Sequence, residues 1–142
     1  MERICKWAII LPLITPPEQA KAINEIIPGH FDCSRGNQYL KGDIKANIQV
    51  DYKKALEYFS KAASLKNAEG YYNLALMYSK GLGVQEDISK SLSFLKLAAQ
   101  QSPTLPNFLN VKRMGVVEAE FTLGLYYYEG TGVTKNISTA IM

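Results

Sequence analysis

Two stretches of this 142-residue chain repeat each other without a gap. The stretch from Leu74 to Val84 reads LALMYSKGLGV, and the stretch from Leu123 to Val133 reads LGLYYYEGTGV. A weaker third copy runs from Gly36 to Gly42. Self-similarity at a fixed spacing is typical of repeat arrays, in which each unit buries its apolar face against its neighbours. The chain is therefore expected to fold as a row of similar units.

The segments that follow the Gly36–Gly42 copy and the Leu74–Val84 copy also repeat, and they set the length of the unit. Asp51 to Ala63 (DYKKALEYFSKAA) aligns with Asp87 to Ala99 (DISKSLSFLKLAA), 36 residues further on. The first unit has three extra residues in its inter-helix loop, and 13 extra residues follow the second unit. This insertion falls between Gln101 and Arg113, where two prolines, Pro103 and Pro106, exclude a continuous helix.

Apolar residues in each unit recur at helical spacing, which predicts two helices per unit. Tyr71, Leu74, Ala75 and Tyr78 are separated by three or four residues and form one apolar stripe on the first helix of the middle unit. The second helices carry similar inward stripes. In the first unit this stripe is Ala55, Phe59, Ala62 and Ala63; in the second it is Leu92, Leu95, Ala98 and Ala99.

Glycines and N-cap residues predict where these helices end and begin. Gly81 and Gly130 are expected to end the first helices near Lys80 and Glu129, because glycine enters a left-handed C-terminal cap without a steric cost. Asp51, Asp87 and Asn136 stand at equivalent places and are predicted N-caps, each worth about 1 kcal/mol. Asn136 also begins a glycosylation sequon, but its capping role explains it without secretion.

These patterns resemble the Sel-one-like repeat, a relative of the tetratricopeptide repeat. The pattern is Leu-(Ala/Gly)-x-x-Tyr-x-x-Gly-x-Gly-Val, followed by Asp-x-x-Lys-(Ala/Ser) and then by Ala-Ala. Residues 68–101 match that pattern almost completely. The first unit departs from it, with Arg35 in place of leucine and Asp43-Ile44 in place of the glycine-valine turn. The resemblance implies an all-α fold: a right-handed α-solenoid of helix–turn–helix repeats with about two and a half units.

This resemblance divides the chain into five segments. Residues 1–29 form an N-terminal segment, either a leader or a helix that packs on the first unit, and residues 30–67 form a degenerate first repeat. Residues 68–101 form the second repeat, 102–116 an insertion loop and 117–142 a third repeat. The third repeat ends a few residues into its second helix, which we interpret as a truncated array: a fragment, a partial gene model or a short splice form.

Sel-one-like proteins bind partner proteins, so the resemblance implies a non-enzymatic adaptor or scaffold. Tetratricopeptide geometry places a partner segment on the concave face that the first helices line. On that basis the outward positions of the middle unit are Tyr72, Leu76 and Lys80. The whole predicted strip is Asn37, Lys41, Tyr72, Leu76, Lys80, Phe121, Leu125 and Tyr128. The alternative for each aromatic is packing against a neighbouring unit. A further alternative is that the function lies in a missing domain of a larger repeat protein.

Enzymatic and metal-dependent classes are disfavoured by the residues present. Cys33 lies near His30 and Asp32, but zinc needs about four ligands and the chain has a single histidine. Some secreted bacterial relatives are described as β-lactamases, which carry a cysteine pair in each unit; that pair is absent here, and no Ser-x-x-Lys stands at a predicted helix start with a partner motif. We expect no catalytic residues, no metal and no cofactor.

Partners and compartment follow from charge and from the first residues. A net charge of +3 with scattered basic residues disfavours nucleic acid. The apolar run from Trp7 to Ile14 is too short for a transmembrane helix, which needs about 20 residues. We therefore expect a protein or peptide partner, with self-association through the truncated end as a second expectation. The sequence favours the cytoplasm, and the alternative is the secretory pathway with residues 1–15 as a signal peptide.

Overall fold

Helices account for nearly all regular structure in the part of the chain that can be described. The computed structural model describes residues 16–101 and 114–141. Within these ranges there is no strand, only an isolated antiparallel bridge between Asp43 and Ile48 in a loop. None of the helices there is both long and apolar enough to cross a membrane. The seven helices are α1 (Pro16–Ile26), α2 (His30–Lys41), α3 (Tyr52–Ser64), α4 (Ala68–Lys80), α5 (Ile88–Ala99), α6 (Val116–Glu129) and α7 (Ile137–Ala140).

The helices form three successive pairs, as the repeats predict. α2 packs with α3, α4 with α5 and α6 with α7, and each second helix contacts the first helix of the next pair. α6 begins at Val116, one residue before the predicted start of the third repeat. In the N-terminal segment, α1 packs against α2. Residues 1–15, and with them the proposed leader, lie outside the described residues.

One backbone hydrogen bond closes the turn in every pair. The N–H of Asp51 donates to Tyr39 O at 2.8 Å and the N–H of Asp87 donates to Tyr78 O at 2.9 Å. In the third pair the N–H of Asn136 donates to the carbonyl oxygen of residue 127 at 2.9 Å. The same three residues are the N-caps, accepting from backbone N–H groups three residues on at 3.0, 2.9 and 3.1 Å. The predicted helix starts are thus confirmed, and each cap residue fixes both the turn and the second helix.

The second glycine of each Gly-x-Gly turn allows one unit to approach the preceding one. Gly83 and Gly132 have φ values of 68° and 65°, a left-handed conformation that favours glycine. A Cβ on Gly83 would lie 2.7 Å from the backbone carbon of Tyr52, at the start of α3. A Cβ on Gly132 would likewise overlap Ile88, at the start of α5. Each Gly-x-Gly loop contacts the start of the second helix of the preceding unit, so no residue larger than glycine fits at its second glycine.

The first helix of the middle unit is buried on two sides, whereas its spacing predicted a single stripe. Leu74 and Met77 join the core around Phe59 in α3. Ala75 joins a second core with Ala119 in α6. A helix between two neighbours needs an apolar residue on each flank, which is why Met77 is fully buried although it lies off the predicted stripe.

A small–large exchange distinguishes the first unit from the second. A Cβ on Gly36 would lie 2.6 Å from Cε1 of Phe59, which is fully buried. The aligned residues of the second unit are Ala75 and Leu95. The first unit therefore combines a larger α3 side chain with the loss of a methyl group on α2, and the second unit does the reverse.

Gly36→Ala is expected to destabilise the protein by about 1–3 kcal/mol, because the added methyl group meets the Phe59 ring. This loss outweighs the gain in helix propensity, about 1 kcal/mol. Combined with Phe59→Leu, the substitution recreates the second unit's pair. The double variant should therefore lose less free energy of unfolding than the two single variants together, by about 1 kcal/mol or more. Urea denaturation of all four proteins measures this coupling, and strictly additive effects would contradict it.

Ser91→Ala is expected to raise the free energy of unfolding by about 1 kcal/mol. The Ser91 hydroxyl is fully buried and has no hydrogen-bond partner. The aligned residues of the other units are Ala55 and Ala140. Ser93→Ala is the matched control, since Ser93 is exposed on the same helix and its hydroxyl donates to Ser89 O. Equal effects in the two variants would show that helix propensity alone accounts for the gain.

Candidate protein-binding surface

A polar junction joins the first helices of the first two units. Nδ2 of Asn37 on α2 donates to Oε1 of Glu69 on α4 at 3.0 Å. Asn67 caps α4 through a bond from the Gly70 N–H at 3.0 Å, and its own Nδ2 donates to Pro28 O at 2.7 Å. These bonds fix the starts of α2 and α4 side by side, so residues on the two helices form one surface.

A groove of about 380 Å³ opens along this junction, and we call it the polar groove. Two residues of the predicted strip, Asn37 and Lys41, line it. Gln38 donates to Asp43 Oδ2 at 3.1 Å, which holds the loop after α2 against one edge. The full lining is His30, Ser34, Asn37, Gln38, Lys41, Gly42, Asp43 and Glu69.

The central part of the predicted strip is only partly accessible. Tyr72 is half-buried and packs against the core that contains Ala75 and Ala119. Tyr72 is therefore less exposed than an outward position predicts, and whether it binds a partner or packs within the array stays a prediction. Leu76 is half-buried, and Lys80 is exposed at the end of α4.

The last three predicted residues line a second groove, of about 420 Å³, between α6 and α7. We call it the apolar groove. Phe121, Leu125 and Tyr128 are 69%, 41% and 56% exposed. Lys135 Nζ lies 5.3 Å from the centroid of the Tyr128 ring. The lining residues are Val117, Glu120, Phe121, Gly124, Leu125, Tyr128, Ala140 and Ile141.

The predicted strip is thus divided between two grooves at the two ends of the described array. Asn37 and Lys41 lie at one end, Phe121, Leu125 and Tyr128 at the other, and α4 lies between them. Tyr128 aligns with Ser79, whereas the residue that aligns with Lys80 is Glu129. Whether any of these residues binds a partner stays a prediction.

Cys33 is a core residue and not a nucleophile. Its side chain is fully buried, and its thiol donates to Asn67 Oδ1 at 3.3 Å. Burial raises the pKa of the Cys33 thiol well above its ordinary value, and the carboxylates of Glu69 and Asp32 raise it further. A thiolate, the reactive form, is therefore disfavoured at neutral pH. Across residues 16–101 and 114–141, no group of three or more His, Cys, Asp or Glu side chains could hold a metal ion.

Sequence reasoning missed Asn67 and Glu69, which organise the polar groove. Asn67 directly precedes a predicted helix, so the N-cap preference for asparagine was a usable signal. Glu69 had no such signal, because its contact with Asn37 joins residues 32 positions apart on different helices.

The helices of this chain stack in pairs, and the first helices of two pairs share the polar groove. This arrangement defines the chain as a helical repeat array. A model of the Sel1 repeat family matches residues 35–67, 68–103 and 117–142. The chain belongs to the Sel1 repeat family, as its sequence pattern predicted. This family is a repeat fold of protein–protein interaction modules.

Two characterised relatives match part of the chain. Over 71 residues it is 37% identical to an Arabidopsis thaliana protein described as an ERAD-associated E3 ubiquitin-protein ligase component, HRD3B. Over 54 residues it is 43% identical to human protein sel-1 homolog 2. These matches cover 50% and 37% of this chain, but only 11% and 8% of the relatives. The matched segments therefore span about a tenth of each relative's length.

Two solved structures share the fold. The Sel1 repeat protein from Oxalobacter formigenes superposes with a TM-score of 0.65 at 29% identity, covering 82% of this chain and 41% of that one. The protective antigen c5321 of uropathogenic Escherichia coli, which has an SLR fold, gives a TM-score of 0.65 at 25% identity, covering 90% of this chain and 24% of that one. The predicted all-α solenoid of helix–turn–helix repeats is thus confirmed.

The buried thiol should give the protein a specific alkaline instability. Below about pH 8.5 Cys33 is protonated in both the folded and the unfolded chain. Above that pH the unfolded thiol ionises while the folded one stays protonated, so stability falls as pH rises, by up to about 1.4 kcal/mol per pH unit. Denaturation between pH 7 and 10, compared with Cys33→Ala, isolates this slope. The same slope in both proteins would contradict a buried neutral thiol.

Proposed function

We propose that this chain is a non-enzymatic adaptor module that binds a segment of a partner protein along its first helices. The polar groove carries this proposal, because it combines exposed polar side chains with a surface that two repeat units share. A site built by two units exists only in the folded array, as expected of a repeat module that binds partners.

The polar groove suits an extended peptide, and Lys41 in the groove together with Lys80 beyond it favours acidic side chains on that peptide. The two carboxylates of the groove, Asp43 and Glu69, already accept hydrogen bonds from Gln38 and Asn37. His30, Ser34 and Gln38 place hydrogen-bonding groups along one wall, where they can pair with backbone N–H and C=O groups. Lys41 and Lys80 are exposed at the C-terminal ends of α2 and α4 and offer two cations. A partner with carboxylates spaced to reach both lysines would gain affinity and a defined orientation.

The relatives support an adaptor role within a larger assembly. The Arabidopsis protein is described as a component of a ubiquitin ligase and not as the ligase as a whole. By analogy, this array would hold one protein close to another. The compartment in which it does so stays a prediction, since the leader proposed for residues 1–15 lies outside the described residues.

Charge reversal of the first helices tests the proposal. Peptides selected from a random library on the purified chain should lose affinity at least about tenfold for the double variant Lys41→Glu and Lys80→Glu. The matched control is Lys53→Glu with Lys96→Glu, which reverses two exposed lysines on the second helices α3 and α5. Affinities are measured by isothermal titration, with circular dichroism as a check on folding. Equal losses in both double variants would contradict a site on the first helices.

A further inference from the structure

One side of α4 carries an amide, an apolar side chain and a cation in a row. Four residues follow one another there at steps of four, three and four positions, over a length of about 16 Å: Glu69, Asn73, Leu76 and Lys80. Because α4 contacts α2 on one flank and α6 on the other, this row lies inside the array and not at one of its ends. Glu69 lines the polar groove, and Lys80 is exposed. A peptide that runs beside α4 from Glu69 to Lys80 therefore passes over Asn73 and Leu76.

Asn73 is held in place by burial, but its amide has no partner among the described residues. The residue is only 7% exposed, and the amide forms no hydrogen bond in that part of the chain. Its nitrogen and oxygen still reach the surface, because Ser91 Oγ is the one buried side-chain polar atom left without a partner there. A fixed amide with a free donor and a free acceptor matches the C=O and N–H groups of a peptide backbone.

Leu76 offers an apolar contact that the fold does not use. It is half-buried, yet it belongs to neither of the two cores that flank α4. The aligned residue of the first unit is Asn37, whose amide donates to Glu69. The corresponding position thus changes from polar on α2 to apolar on α4, which gives the two helices different preferences for a ligand side chain.

The spacing along α4 sets the spacing of the ligand residues that it can contact. Leu76 and Lys80 are four residues apart, a rise of about 6 Å along the helix. An extended chain advances about 3.3 Å per residue and directs every second side chain to the same face. In an extended peptide that runs along α4, residues i and i+2 therefore reach Leu76 and Lys80 together. Residues i and i+1, or i and i+3, point to opposite faces.

We propose, as a refinement that rests on the proposed function, that α4 selects peptides in which a large apolar residue and an aspartate or glutamate are two positions apart. The apolar side chain packs on Leu76 and the carboxylate pairs with Lys80. The Asn73 amide binds the peptide backbone on the groove side of the apolar residue. Backbone bonds hold the peptide extended, and the two side-chain contacts determine its sequence.

The sequences of peptides selected from a random library on the full chain test this motif. The wild-type protein should enrich the apolar and acidic pair at a spacing of two at least about fivefold over the library. Leu76→Ser should abolish the apolar preference and keep the acidic one. Lys80→Glu should replace the acidic residue by lysine or arginine at the same spacing. Leu97→Ser, at an exposed leucine of α5, is the matched control and should select the wild-type motif.

Asn73→Ala separates a role in binding from a role in folding. Because the amide has no partner in the fold, the variant should melt at no lower a temperature than the wild type. It should nevertheless bind every selected peptide at least about tenfold more weakly, whatever the peptide's side chains. Melting curves and isothermal titration measure the two effects. A lower melting temperature with unchanged affinity would show that Asn73 is structural and would overturn the proposed backbone contact.

The outcomes distinguish failure of this motif from failure of the proposed function. The motif is overturned, and the groove stands, if peptides respond to charge reversal at Lys41 and Lys80 but show no apolar preference that Leu76→Ser removes. An apolar and acidic pair three or four positions apart would indicate a helical ligand and would overturn the motif as well. Peptides that do not respond to the charge reversal would overturn both proposals. Circular dichroism establishes that each variant is folded.

Discussion

The array depends on close contact between each Gly-x-Gly turn and the preceding unit. Gly83 touches the start of α3 and Gly132 touches the start of α5, at distances that a Cβ cannot share. These contacts set how far each unit is displaced along the solenoid. The side-chain cores then fill the space that this spacing leaves, since α4 meets α3 on one side and α6 on the other. The loop after α2 has no second glycine, and a Cβ on Gly42 would meet only Ile48 and Val50 of the same loop.

Burial on both flanks explains why the two grooves lie where they do. The apolar residues of α4 pack against two neighbouring helices, and Tyr72 packs against one of the two cores. Little apolar surface of α4 is therefore exposed. α6 has the same kinds of residues at the aligned positions, but Phe121 and Leu125 are exposed. The polar groove thus lies at the junction of α2 and α4, and the apolar groove beside α7.

Helix caps and helix ends could be predicted from sequence, but the neighbours that each side of a helix packs against could not. The caps at Asp51, Asp87 and Asn136 and the helix ends at Lys80 and Glu129 depend on neighbours along the chain, so the repeat placed them correctly. The partial burial of Tyr72 was not predicted, because helical spacing shows which residues share a side of a helix, but not how many helices pack around it. The contact between Asn37 and Glu69 was unpredictable for a related reason, since it depends on the lateral distance between two units.

The exchange of volume between Gly36 and Phe59 also limits how such arrays recombine. The turn-closing hydrogen bond and the N-cap are shared by the first two units, although the first has three extra residues in its inter-helix loop. A crossover inside a unit, however, would place the methyl group of Ala75 against the ring of Phe59, or leave a void between Gly36 and Leu95. Exchange of a whole unit therefore keeps each matched pair of side-chain volumes together, whereas exchange of a single helix separates it.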